Sequence, residues 1–215
     1  MARVSNELMV TDRPPRKGKA LHQFLDSERL TSIELPSASE FRKLAQAIEH
    51  HMTDGTREQV RRACADFLAA AAAFYDIRTP EVRALAARPL RVREGGGQTE
   101  LFGDYSLNDA RIRIWTRTAV RKQVTSFGTF LSTLCHEFCH HLDCQKFGFG
   151  LTPHTRGFYE RAALLYHHAR GTPVKKLLWV PMSGERWRID WRRTNAVQQV
   201  ADQMLRFSSR SNSGK

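Results

Sequence analysis

Between Ala110 and Trp115 the chain reads Ala-Arg-Ile-Arg-Ile-Trp, and on both sides of this stretch the apolar residues recur every three to four positions. Strict alternation fits a half-buried strand, whereas the longer period fits amphipathic helices. A chain that carries both must pack helices on a sheet, which is an α+β fold. The Ile side of the strand predicts a buried face, and the Arg side predicts a basic outer row on a strand at a sheet edge. Upstream, Ser37 and Glu40 have the spacing of a capping box, and Phe41, Leu44, Ala45, Ile48 and Met52 make one helical face. Thr56 and Gln59 repeat that signature ahead of Val60, Cys64, Phe67, Leu68, Ala71 and Phe74. Thr79-Pro80 reads as a cap with proline at the first helical position and predicts a short helix over 80–87. Leu90, Val92 and the stretch Thr99 to Tyr105 predict two strands around the glycines at 95–97. Downstream, the spacing predicts helices over 126–144 and 156–170, a hairpin about Met182-Ser183-Gly184, and a last helix from Asn195 to Phe207.

The 215 residues suffice for one sizeable core. The longest apolar run, Phe67 to Tyr75, falls far short of the roughly 20 residues that span a bilayer. No secretory signal is expected, because the first 20 residues carry Arg3, Arg13, Arg16, Lys17 and Lys19 but no apolar block. Four cysteines make no disulfide scaffold, so a reduced, cytoplasmic protein is the default expectation, with nucleoid or nuclear association left open. Residues 1–30 read as a poorly ordered basic arm, 31–207 as a single domain, and 208–215 as a frayed tail. The formal charge of +12 suits a polyanion partner, such as DNA or an acidic membrane surface, and equally a soluble enzyme with a basic surface and no such partner.

The chemistry sits in His136-Glu137-Phe138-Cys139-His140. Residues four apart on a helix share a face, so His136 and His140 can converge on one zinc ion. Glu137 is turned about 100° from His136, where it can act as general base toward a zinc-activated water without binding the metal. Leu134, Phe138 and Leu142 mark the buried side of this helix and leave the two histidines on the other. A catalytic zinc needs a third protein ligand; His154 and Glu160 are the candidates downstream. His141 and the pair His167-His168 read as surface or supporting residues, Asp143 as a surface or ligand-orienting carboxylate, and Cys135 and Cys139 as small buried residues. Tyr159, Arg156 and Tyr166 lie where a stabiliser of the developing oxyanion is needed.

The motif, followed by His154-Thr155-Arg156-Gly157-Phe158, resembles the SprT-like metalloproteases of the zincin group. In that family a third histidine leads a short helix, commonly with a phenylalanine four residues on. The upstream order, Gly103-x-Tyr105, Ile112-x-Ile114 and then the motif helix, is also similar, and the resemblance spans roughly residues 85–170. It implies a zincin-like fold and a zinc metallopeptidase with His136, His140 and His154 on the metal and Glu137 as catalytic base. A protein or peptide is then the substrate, with DNA-associated protein as one class. The sequence departs from the family in having Thr155 where the family often has glycine, and in lacking a CxxC pair.

Seven Arg or Lys interleave with Trp179, Trp187 and Trp191 between Arg170 and Arg193, a mixture that suits either single-stranded nucleic acid or a hairpin packed by its indoles. The alternative to an enzyme is therefore a nucleic-acid-binding protein with a structural or degenerate zinc site. An extended peptide substrate is expected to pair with the strand at 110–115. The oligomeric state is open.

Overall fold

The computed structural model of the chain describes residues 9–92 and 98–198. The first helices are α1 (Gly18–Arg29), α2 (Ala38–Asp54) and α3 (Arg57–Phe74). The strands β1 (Glu81–Ala87), β2 (Leu90–Val92), β3 (Gln98–Glu100), β4 (Gly103–Ser106) and β5 (Arg111–Arg117) follow. The motif helix α4 (Phe127–Leu142) runs on into a π-helical turn, Asp143–Phe147, and α5 (Arg156–Arg170) precedes a hairpin of β6 (Trp179–Met182) and β7 (Arg186–Ile189). A further helix occupies 191–198, starting ahead of Asn195; its expected end at Phe207 lies outside the described residues, as do the glycines at 95–97 and the tail at 208–215. No helix among the described residues is long and apolar enough to cross a membrane.

The main sheet has the order β1-β5-β4, with β1 parallel and β4 antiparallel to β5. The alternating strand is therefore central, which corrects the edge expected from its arginines. Ile112 and Ile114 are fully buried and face the helices, as alternation requires. The segment 80–87 is β1 and not a helix: Val82 and Ala84 are buried between exposed Glu81 and Arg83, and their backbone pairs with Ile112 and Ile114. Sheet pairing outweighs the proline cue there, because the cue prices only the first turn of an alternative helix. Ser37 makes no cap to the backbone of α2, whereas Thr56 and Gln59 do form the reciprocal capping box of α3. α2, α3 and α4 close one core around Phe41, Phe67, Phe130 and Phe138, and the Phe41 and Phe67 rings stack at 4.2 Å.

Within the segment expected to be a poorly ordered basic arm, residues 9–30 pack on the rest of the fold. Val10 bridges to Arg188, Thr11 exchanges bonds of 2.8 Å with the Trp187 backbone, and α1 packs on α5. Burial of Phe24 and Ser27 gives this segment the apolar and polar anchors that its charge pattern hides. A Cβ on Gly157 would lie 2.0 Å from the Ser27 carbonyl, so α1 can reach α5 only over a glycine. Arg161 fixes the same junction. Its fully buried guanidinium donates to Asp143 at 3.1 and 2.5 Å, to the Ser27 carbonyl and hydroxyl at 3.0 and 3.1 Å, and to the Leu30 carbonyl. All five guanidinium N–H groups are thereby used.

Candidate metal centre

α4 begins where Ser126 caps the Thr129 amide and packs its apolar side beneath β4 and β5. His136 and His140 project from its other side. The loop between the π-helical turn and α5 brings His154 to the same place. Thr155 caps α5 by accepting from the Phe158 amide at 3.0 Å and bonds to Ser27 at 2.8 Å. That hydroxyl, next to His154, does work a glycine could not.

The three rings converge through Nε2. His136 stands 3.2 Å from His140 and 3.3 Å from His154, and one ligand nitrogen from each lies within 4.8 Å of the others. Zinc–nitrogen bonds of about 2.0–2.1 Å at tetrahedral angles separate ligand atoms by about 3.3 Å, so the observed spacings suit one such ion. Phe158, fully buried, is the platform: its ring stacks on His140 at 4.4 Å and meets His136 and His154 edge-on at 4.9 and 5.3 Å. Enclosure pushes His136 down to about 3, with His154 adding to it, and holds His140 well below the ordinary imidazole value. Neutral imidazoles are the form that binds metal.

Glu137 is buried, yet no protein hydrogen bond holds its carboxyl among the described residues. It lines a cleft of about 980 Å³ together with the three histidines, Gly103 and Tyr105. Burial, helped by the Asp104 carboxylate, raises Glu137 to about 8. A cation beside it would pull that value down.

Sequence reasoning missed Asp12. Its Oδ2 accepts the His154 amide N–H at 3.1 Å and faces Nδ1 of the same ring at 3.7 Å, while its own N–H donates to the His154 carbonyl at 2.8 Å. Burial raises the Asp12 carboxyl, but hydrogen bonding and charge from His154 more than offset this and leave it low. Nothing local in the sequence marks a residue so far from the motif.

The other candidates fall elsewhere. Glu160 accepts from Trp179 Nε1 at 3.2 Å and does not join the cluster. His141 is buried: it donates through Nε2 to the Arg78 carbonyl at 2.6 Å, so Nδ1 accepts from the Tyr105 hydroxyl at 3.0 Å. His167 is buried against Thr172, and His168 bonds to the Pro36 carbonyl at 2.8 Å, so neither is a free surface ring. Asp143 is the buried partner of Arg161 and not a surface carboxylate. Cys135 and Cys139 are fully buried and free, with burial pushing both thiols up, as packing residues should be. Arg156 pairs with Glu28 and lies over Trp187, whereas Tyr159 and Tyr166 line the cleft.

The polyanion surface is reduced from what the sequence predicts. Arg111 pairs with Glu81 and Arg113 with Asp104, so the basic row on β5 is neutralised. Trp179 and Trp191 pack on the second apolar cluster around Phe158 and Leu177, which agrees with a hairpin packed by its indoles. Arg13, Arg16, Lys17 and Lys19 are largely exposed and make no ion pair among the described residues. No protein-family model, curated protein or solved structure matches the chain.

Proposed function

We propose that the chain is a zinc-dependent metallopeptidase of SprT-like, zincin type, with His136, His140 and His154 holding the ion. One observation carries the reading: three imidazole nitrogens spaced for one tetrahedral ion, beside a buried carboxyl that no hydrogen bond engages among the described residues. Zinc, when bound, supplies Lewis acidity toward a peptide carbonyl and toward water. Glu137 receives the proton lost by the attacking water at its carboxylate and returns it to the leaving amine. Phe158, backed by Cys139, sets a buried apolar floor beneath the ligand rings. A closed structural zinc site takes four protein ligands, and only three cluster here among the described residues, which favours catalysis over a purely nucleic-acid-binding role.

The substrate is a protein or peptide chain. β4 is the strand at the cleft, and its outer edge is unpaired among the described residues, so it replaces residues 110–115 as the segment on which an extended peptide is laid. DNA-associated protein fits the exposed Arg13, Arg16, Lys17 and Lys19 as a substrate class, with DNA as the partner that gathers it. Glu137→Gln tests the chemistry. The variant should keep zinc and lose about 10²–10⁴-fold in protein cleavage; undiminished cleavage would remove Glu137 from the mechanism.

A further inference from the structure

His154 comes from a loop, whereas its two companions are locked on one helix. A loop imidazole needs an outside restraint to keep its Nε2 on the common point. The strap of residues 9–12 supplies it. The Met9 carbonyl accepts from the Ile189 amide at 3.3 Å, Thr11 is clamped to Trp187, and the Val10 carbonyl accepts from the Tyr159 hydroxyl at 3.1 Å. The Tyr159 ring in turn stacks on His154, 5.7 Å between centroids and 15° between planes. At the end of this strap Asp12 grips both backbone groups of His154 and presents its carboxylate to Nδ1.

Resting on the metallopeptidase reading, we infer that Asp12 is a positioning residue of the metal centre: its carboxylate holds the His154 ring with the proton on Nδ1, leaving the Nε2 lone pair for the ion. The electrostatics give the direction. A negative charge 3.7 Å from Nδ1 favours a proton there and disfavours a lone pair. The opposite tautomer would put the proton on Nε2, 3.3 Å from His136 Nε2, and block the shared site. The backbone bonds fix the ring's position, and the carboxylate fixes its proton. The N-terminal strap is thus part of the metal centre, although 142 positions separate Asp12 from His154.

The test compares wild type, Asp12→Asn and Asp12→Ala in the full chain. Asn keeps the size and the acceptor for the His154 amide, so the strap stays folded; Ala removes both charge and acceptor. Zinc affinity is read by chelator competition, and the His154 tautomer by long-range nitrogen–proton NMR of the metal-free protein. Loss of this supporting carboxylate should weaken zinc binding about 10–100-fold, more for Ala than for Asn. The His154 proton should move from Nδ1 in wild type toward Nε2 in the Ala variant. Affinities within twofold of wild type, with the tautomer unchanged, would overturn the assignment while leaving the metallopeptidase reading intact. A wild-type chain that takes up no zinc would instead defeat that underlying reading, and the tautomer shift would then decide the role of Asp12 alone.

Discussion

Replacing Gly103 with alanine tests how the carboxyl of Glu137, the proposed general base, is placed. Gly103 opens β4 at the point where the strand crosses α4. A Cβ there would stand 2.6 Å from Thr133 Cγ2, 3.0 Å from Glu137 Cγ and 3.1 Å from Glu137 Oε1. Carbon atoms pack at about 3.5–4.0 Å, so the strand and helix must part by about 1 Å, or Glu137 must turn. Overpacking of this kind costs about 1–3 kcal/mol, set against about 0.5–1 kcal/mol gained by removing a glycine from a strand. At this chain length each kcal/mol lowers the melting midpoint by about 2–4 °C. A displacement near 1 Å at the general base is expected to cost about 10²-fold in kcat/KM. Thr133→Ser deletes the nearest clashing atom but keeps the hydroxyl that donates to the Thr129 carbonyl at 2.9 Å. The double variant should therefore regain part of both losses. The assays are thermal unfolding and cleavage of an unfolded protein substrate. A Gly103→Ala protein with unchanged midpoint and unchanged kcat/KM, or one that Thr133→Ser does not relieve, would refute the packing argument.

Arg161→Met should lose about 3–5 kcal/mol in urea unfolding, because it strands the buried Asp143 carboxylate and the acceptors at Ser27 and Leu30; a loss under 1 kcal/mol would show that the junction does not need the ion pair. The metal-free protein should be most stable near neutral pH. Below that, the unfolded chain protonates its histidines while His136 resists to about 3, with His140 shifted the same way. Their stabilisation is full above about 6.5 and drains as the pH falls, against a smaller opposing gain from Glu137. Above the imidazole range, Glu137, raised to about 8, stays largely protonated in the fold while the unfolded chain has released that proton, so stability falls again as the pH rises toward 8, by less than the roughly 1.4 kcal/mol per pH unit that one whole proton would give. Denaturant midpoints across pH 5–8 check this, and Glu137→Gln should flatten the alkaline limb; an alkaline limb unchanged in that variant would contradict the assignment.

The motif helix was legible because its signal is local, a four-residue spacing on one helix, whereas His154 stood apart from Glu160 only through the resemblance and its phenylalanine four residues on. The alternation at 110–115 was equally readable as a strand, but its place in the sheet was not. Arginines on one face look like an edge, whereas here they are solvated and paired by Glu81 and Asp104 on the neighbouring strands. β1 was hidden by its alanines, which bury as well in a helix as in a strand, and by a proline that marks a helix start only when no sheet competes. Asp12 and Arg161 were beyond reach for a different reason. Each acts across more than 130 positions, on His154 and on the Leu30 carbonyl respectively, and a lone charged residue carries no local sign of a distant partner.

Zinc titration into the metal-free chain, followed calorimetrically for wild type and His154→Ala, addresses the three-histidine centre most directly. Wild type should take up one ion per chain tightly, and the variant should bind it far more weakly. No uptake by wild type, or equal affinity in the variant, would contradict a centre built on His136, His140 and His154.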